Sequence, residues 1–555
     1  MKVIIIGGVA GGASAAARLR RLDETAEIIL LERGEYVSFA NCGLPYYIGG
    51  EITQKSALTV QTPESLHSRL NLDVRTGHEA VAIDTAGRQV EILNLKENLR
   101  YSESYDKLIL SPGAEPIRPA LPGVDDRRVF TLRNIPDTYR IDSYIKEQTP
   151  RRALVVGGGF IGLEMAENLV RAGLRVTVAE KADHVIASLD REMAADVHRY
   201  LDRQGVKIHL ENGVRAIEPH PDHLHIKLDC GELDTDLVLL SIGVRPEGSL
   251  AKAAGLALNE RGAIITDQHM RTSDPHIYAV GDAVEVQHQV TGQPAFIPLA
   301  GPANKQGRIA ADHIAGISRS YHGTQGSAIV KLFDMTVAAT GISEAAARSL
   351  NLDYDKVYLL TASHAGYYPG AAPLHVKVLF EKTDGRILGA QIVGSEGVDK
   401  RIDVLAAVVR HQMTAEDLTE LELSYAPPYS SAKDPVNMVG FMIQNLLEDN
   451  AAQYHWNEIA QLQKDQAVLI DVRTSGEYAA GHIEGAENIP LDDLRSRLTE
   501  LDQDRPVYLY CQSGHRSYLA SRILSAHGYQ VSHLSGGYYL YSSAILSHGT
   551  GSCCS

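Results

Sequence analysis

At 555 residues the chain is too long for a single hydrophobic core, so several domains are expected. A hydrophobic content of 44% with 22% charged residues is that of an ordinary globular protein. The net charge of −16, without a long acidic block, argues against nucleic acid or an anionic membrane as partner. Five cysteines, at 42, 230, 511, 553 and 554, form neither a disulfide framework nor zinc-ligand spacing, so no metal site is expected. Their odd number suits a reducing, cytoplasmic compartment. The apolar run from Val3 to Ala17 is interrupted by glycines and followed by Arg18, Arg20, Arg21 and Glu24, which is not a secretory pattern. No stretch approaches the roughly 18 apolar residues of a spanning helix.

The chain opens with a β-branched strand, Lys2 to Ile6, then Gly7-Gly8-Val9-Ala10-Gly11-Gly12 and an Ala/Arg helix through Leu22. A second strand, Glu27 to Leu31, ends at Glu32, with Arg33 beside it. Strand, glycine turn, helix, strand and acid in that order read as a dinucleotide site, with Glu32 placed to accept from ribose hydroxyls. Val9 replaces the middle glycine of GxGxxG, and the turn alone is also compatible with an ordinary tight connection. Cys42 follows in Ser38-Phe39-Ala40-Asn41-Cys42-Gly43-Leu44-Pro45 with no second cysteine nearby. A helix expected to start near Gly43–Pro45 would lower the pKa of that thiol through its dipole. Tyr105 to Ala114 is an apolar strand ending in a small-residue turn at Gly113.

A second strand–turn–helix runs from Arg152 through Gly157-Gly158-Gly159-Phe160-Ile161-Gly162 to Ala172, and the strand Arg175 to Ala179 ends at Glu180. Here GxGxxG is complete, and the acid lies eighteen residues beyond the last glycine. Glu180 favours NADH over NADPH, while the adjacent Lys181 leaves NADPH possible. Asp236 to Gly243 and Val244-Arg245-Pro246 read as the return crossing to the first domain, which resumes with a strand ending at Gly281-Asp282. Two dinucleotide sites imply a hydride relay.

These segments, in this order, resemble the FAD-dependent pyridine nucleotide–disulfide oxidoreductase family. That resemblance implies that Gly7, Gly11, Gly12, Glu32, Arg33, Gly113 and Asp282 hold FAD, with Asp282 on the ribityl chain. Gly157, Gly159, Gly162 and Glu180 would hold NAD. The Ser38-Phe39-x-x-Cys42-x-x-Pro45 pattern resembles the single-cysteine branch, which includes coenzyme A-disulfide reductase, NADH oxidase and NADH peroxidase. Two-cysteine members carry CxxxxC, whereas position 47 here is Tyr, so Cys42 has no internal disulfide partner. Oxidase and peroxidase relatives place a histidine in the first glycine turn, where this chain has Ala10. By the same resemblance Ser14, Arg18, Arg21, Ser38, Asn41 and Arg69 would bind coenzyme A. Tyr367 and Tyr425 would reach Cys42 of the partner subunit, and Asn304 and Lys433 would make further substrate contacts. A homodimer with composite active sites follows.

The segment 323–445 resembles the family's dimerisation domain, and 446–456 turns polar and reads as a linker. Beyond it, Asp471-Val472-Arg473, Gly481-His482-Ile483 and Asn488-Ile489-Pro490 precede a strand, Val507 to Tyr510, that ends at Cys511-Gln512-Ser513-Gly514-His515-Arg516. A thiol between strand and helix faces a cradle of backbone amides, with Arg516 and His515 adding positive charge. Four residues separate Cys511 from Arg516, the spacing of rhodanese sulfurtransferases, which implies a persulfide carrier.

The expected architecture is therefore α/β. It comprises a split FAD domain (1–115 and 247–322), an NAD(P)H domain (116–246), both Rossmann-like, an α+β dimerisation domain (323–445) and a rhodanese domain (457–550). The expected activity is NADH-dependent reduction of a coenzyme A persulfide, polysulfide or coenzyme A disulfide. The alternatives are an oxidase or peroxidase with an attached sulfurtransferase, and a redox-sensing sulfur carrier. Cys553 and Cys554 have no assigned role.

Overall fold

The computed structural model describes residues 1–549, so Cys553 and Cys554 lie outside the described residues. Its chain divides into two compact units: Met1–Ala179 with Gly213–Gly326, and Glu180–Asn212 with the chain from Ser327 onward.

The first unit holds a parallel sheet ordered Ile277–Ala279, Lys107–Leu110, Lys2–Ile6, Glu27–Glu32, Asp73–Thr76. Val3, Ile4 and Ile5 are all fully buried, the mark of a strand covered on both faces. A second parallel array runs Arg175–Ala179, Arg152–Val156, Leu237–Leu240, Val129–Phe130. The chain leaves the first sheet at Ala114–Pro116 and returns at Val244–Pro246, and these two segments pair antiparallel. Of the crossing read from the sequence, Val244–Pro246 is one strand of this two-stranded ribbon, whereas Asp236 to Gly243 holds the strand Leu237–Leu240 of the second array.

Both glycine turns enter helices, Ala10–Leu22 and Phe160–Arg171. Gly7 and Gly157 take φ of +99° and +105°, which only glycine adopts without strain. Val9 and Gly159, the middle positions, have φ of −104° and −76°. The backbone there accepts any L-residue, which is why valine replaces glycine in the first turn without altering its path.

In the second unit an antiparallel sheet is ordered Ala328–Leu332, Met335–Gly341, Ile387–Gly394, Pro373–Glu381, Tyr354–Ala362. At its centre the fully buried Lys377 ammonium lies 2.7 Å from Asp190 Oδ2 and 2.8 Å from Glu344 Oε2, and also contacts Glu192. Tyr358 donates to Glu192 at 2.6 Å, and Lys356 bonds Glu344 at 2.5 Å. The three carboxylates offer oxygens within 4.8 Å of one another, and the lysine supplies their cation. Lys377→Ala strands this buried charge and is expected to cost about 3–5 kcal/mol, read as an early loss of dimerisation-sheet signal in chemical denaturation.

The C-terminal sheet is parallel, ordered Gln453–Tyr454, Val531–Leu534, Val507–Tyr510, Val468–Asp471, Glu487–Asn488. Its edge strand falls inside the stretch expected to be a linker. Polar residues mask the pattern there, but Tyr454 is 3% exposed and packs edge-on against Tyr508 at 5.4 Å. His533, 7% exposed in the adjacent strand, has a buried Nδ1 without a partner, and burial lowers its pKa to about 4. Its unfolded value is about 6.5, so its neutral form stabilises the fold fully above that pH, and the contribution is lost as pH falls to about 4. The acid limb is expected to total about 3 kcal/mol and to flatten in His533→Gln, measured by urea denaturation between about pH 7 and 4.

Candidate active sites

Cys42 sits in a 3-10 turn, Asn41–Gly43, directly before the short helix Leu44–Ile48. The helix packs Leu44 and Tyr47 into a cluster with Leu58 and Ile135, which fixes the turn. Ser38, four residues earlier, holds φ of +45°, and its amide donates to Gly8 O at 2.8 Å, tying the thiol loop to the first glycine turn.

The thiol is open to solvent, but its pKa is raised rather than lowered. Burial on its protein side is the main cause, followed by the carboxylates of Glu164 and Asp282. The expected dipole effect is overruled because burial, and after it the two carboxylates, outweigh a following helix of only five residues. Glu164 accepts from Tyr46 Oη at 3.1 Å, and burial raises its own pKa. Sequence reading passed over Glu164 and Tyr46, although Glu164 lies two residues past the last glycine of its turn. Glu164→Gln removes a like charge and is expected to move Cys42 alkylation by iodoacetamide to lower pH.

Around the first turn, a Cβ at Gly7 would lie 2.0 Å from Ser111 O, and one at Gly12 1.9 Å from Gly7 O. One at Gly11 would crowd Ser111 Oγ and Val280 at 2.9 Å, so the turn is packed from behind and open only forward. Glu32 Oε2 accepts from the Gly8 amide at 3.0 Å and Oε1 from Gly34 at 2.8 Å, fixing its carboxylate at the strand end. Arg33 pairs with Glu115, and Asp282 heads the turn Gly281–Ala283, where burial raises its pKa. Gly113 has φ of +77° and faces Arg133. In the second turn a Cβ at Gly162 would meet Gly157 O at 2.1 Å, whereas one at Gly159 meets nothing within 4 Å. The backbone at Gly159 is thus open on its outer side. Glu180 Oε1 accepts from the Ala182 amide at 2.7 Å.

Beside the thiol loop lies a groove of about 510 Å³. Its walls include Ser14, Arg18, Arg21, Ser38, Arg69 and Asn304, six of the eight residues expected to contact substrate. Arg308, Gln61 and Ser65 line it as well and were not foreseen. The helix Ala300–Ile314 brings Asn304 and Arg308 in by close packing: a Cβ at Gly307 would lie 2.3 Å from Gly11 O. Ser14 bonds Asn304, and Arg18 is held by the buried Asp312 at 2.6 Å. Arg21, Arg69 and Arg308 are exposed, giving a basic rim on an acidic protein. Asn41 is exposed beside Cys42 and does not line the groove.

In the second unit, Tyr367 and Tyr425 hydroxyls lie 2.8 Å apart, with side chains 76% and 47% exposed. Tyr368 and Tyr429 are also exposed, and Lys433 lies exposed just before the helix Pro435–Leu447.

Cys511 is fully buried at the end of Val507–Tyr510, and its sulfur accepts from the Gly514 amide at 3.2 Å and Ser517 Oγ at 3.6 Å. Arg516 makes a two-pronged pair with Glu477, Nη1 to Oε2 at 2.8 Å and Nη2 to Oε1 at 2.7 Å. The pair holds Glu477 at about 2, below the usual carboxylate range. Arg473, beside the loop, is engaged by Asp471, Gly481 O and Gln512.

The pyridine nucleotide-disulphide oxidoreductase model matches residues 1–307, more than half of the chain, and this chain belongs to that family. The family's dimerisation-domain model matches residues 327–435, and a rhodanese-like domain model matches residues 455–544. Within the family, the chain is 38% identical to the coenzyme A disulfide reductase of Staphylococcus epidermidis over 445 residues, 80% of this chain and 100% of that one. The crystal structure of reduced Bacillus anthracis CoADR-RHD shares 50% identity over 98% of each chain, with a TM-score of 0.97. A NAD-dependent persulfide reductase from A. fulgidus shares 37% identity over 98% of this chain and 100% of that one, with a TM-score of 0.92. A water-forming NADH oxidase from Lactobacillus brevis, solved with NADH, shares 30% over 81% and 99%, with a TM-score of 0.78. The α/β architecture expected from the sequence is the one observed. Among the described residues no helix is long and apolar enough to cross a membrane.

Proposed function

We propose that the protein is an FAD-dependent NADH oxidoreductase that reduces a coenzyme A persulfide, polysulfide or coenzyme A disulfide at Cys42, with a sulfane-sulfur carrier at Cys511. The observation that carries this reading is the groove: Ser38 lines it, the solvent-open Cys42 follows four residues later, and arginines 21, 69 and 308 rim it. Guanidiniums are suited to the phosphates of coenzyme A, whose thiol arm would then extend toward Cys42.

The packed first turn, with Glu32 fixed at its strand end, fits FAD at Gly7, Gly11, Gly12, Arg33, Gly113 and Asp282. The open side of Gly159 fits NADH at Gly157, Gly162 and Glu180. Bound FAD supplies the passage of two electrons from NADH to the thiol site. Cys42 attacks the S–S bond of the substrate, and a coenzyme A thiolate or hydrosulfide leaves with the bonding electron pair. The Tyr367–Tyr425 pair, brought from the partner subunit of a homodimer, would protonate that leaving sulfur. Lys433 belongs to the same exposed edge.

The test is NADH consumption by the FAD-loaded protein with coenzyme A persulfide, coenzyme A disulfide, polysulfide, peroxide and dioxygen, measuring hydrogen sulfide release. Turnover with the sulfur substrates is expected to exceed that with dioxygen or peroxide. Oxygen uptake that outpaces every sulfur substrate would overturn the reading in favour of an oxidase.

A further inference from the structure

We propose that Glu477 selects the sulfur donor of Cys511, turning the loop away from thiosulfate and toward sulfane sulfur carried on an organic thiol. The inference rests on the reading of Cys511 as a sulfane-sulfur carrier and adds to it the class of donor.

The argument is one of charge at the loop. The Cys511 sulfur accepts from two neutral donors, the Gly514 amide at 3.2 Å and the Ser517 hydroxyl at 3.6 Å, and the cation within reach of it, Arg516, is already paired with Glu477. These suit one anionic sulfur, a thiolate or the persulfide that replaces it. Thiosulfate asks for more, because its sulfonate group carries charge into the site and leaves as a sulfite dianion. A cation must meet that charge. Both guanidiniums beside the loop are already engaged. Arg473 is held by the two oxygens of Asp471, Nε to Oδ1 at 3.1 Å and Nη2 to Oδ2 at 2.7 Å, and lies 4.2 Å from the Tyr538 ring centre. Arg516 has both terminal nitrogens on the two oxygens of Glu477.

Glu477 cannot swing away freely, since it also caps the helix Ser475–Ala479. Its Oε2 accepts from the Thr474 amide at 2.9 Å and from Thr474 Oγ1 at 3.0 Å. With Arg473 cancelled by Asp471 and Arg516 by Glu477, a Cys511 thiolate leaves the loop net negative. His515 is exposed on the first turn of the helix His515–Ala526 and makes no compensating pair with the sulfur among the described contacts.

An organic persulfide needs no such cation. The Cys511 thiolate attacks the terminal sulfur of R–S–SH, one S–S bond forms as the other breaks, and RS⁻ departs with the electron pair and takes a proton from water. The Cys511 persulfide stays on the Gly514 amide. Nothing is oxidised or reduced overall.

The test uses the full-length protein without NADH, following thiocyanate formation from cyanide with thiosulfate or N-acetylcysteamine persulfide, a donor uncharged apart from its sulfur. The wild type is expected to prefer the organic persulfide by about 100-fold in kcat/KM. Glu477→Gln keeps an oxygen for Thr474 while freeing Arg516. It is expected to raise thiosulfate kcat/KM by about 10-fold and to change the organic donor by less than about 3-fold. Raising ionic strength from about 20 to 300 mM should speed wild-type thiosulfate transfer by screening the repulsion and leave the organic donor flat, a readout that needs no variant. A wild type that prefers thiosulfate, a salt response equal for both donors, or a Glu477→Gln effect equal for both overturns the proposal. Transfer that survives in Cys511→Ser would instead overturn the underlying assignment of Cys511.

Discussion

Cys42→Ser is expected to lower NADH-dependent reduction of coenzyme A persulfide or disulfide by about 10³-fold or more, with sulfide release lost in parallel. Among the described residues no nearby cysteine can take over: Cys230 and Cys511 belong to other strands and loops, and position 47, where a second redox cysteine would stand, is Tyr. Serine keeps the size of the side chain, so the turn Asn41–Gly43 and its apolar support by Leu44 and Tyr47 remain. Electron flow from NADH to an artificial dye does not pass through the thiol and is expected to persist, which separates loss of the nucleophile from loss of the cofactor. A Cys42→Ser protein that still released sulfide from a persulfide at the wild-type rate would remove this thiol from the reaction.

The second large effect concerns the groove. Substituting Arg69 and Arg308 together by alanine removes two exposed guanidiniums from one rim while leaving Arg18 on Asp312 and the helix packing at Gly307 untouched. Charge-assisted hydrogen bonds are worth about 1.5–3 kcal/mol each, so KM for coenzyme A substrates is expected to rise by about 10²-fold or more. Inorganic polysulfide has no phosphates to lose, and its KM is expected to stay within about 2-fold. Steady-state kinetics with both substrate types distinguishes the two cases. An equal rise for both would mean that the arginines support the loop rather than the ligand.

Local patterns made the two glycine turns and the Cys511 loop legible, because strand, turn and helix follow one another within thirty residues. Arg18 and Arg21 were named through the family resemblance, since their positions on the first helix alone fit a solvated face equally well. Arg308 was not, because its position depends on the contact of Gly307 with Gly11, almost three hundred residues away in sequence. A small residue between Asn304 and Arg308 was the available signal. The raised pKa of the thiol was not legible for a related reason: its helix is adjacent in sequence, but the burial that chiefly raises it, and the Glu164 and Asp282 carboxylates that add to it, come from distant elements. Gln453–Tyr454 was hidden because an edge strand of two residues is too short to show an alternating pattern.

The lysine at the centre of the second unit has one more implication. Asp190, Glu192 and Glu344 form a three-oxygen cage of the size hard divalent ions occupy, and the chain fills it with a covalently tethered cation. An ammonium cannot be chelated away or exchanged, so the cage keeps Lys377, with Lys356 beside Glu344, whatever the ionic composition around it. Shortening the tether would convert a fixed counter-ion into a replaceable one. A Lys377→Ala protein should therefore regain stability when calcium or magnesium is added, whereas the natural chain should ignore both.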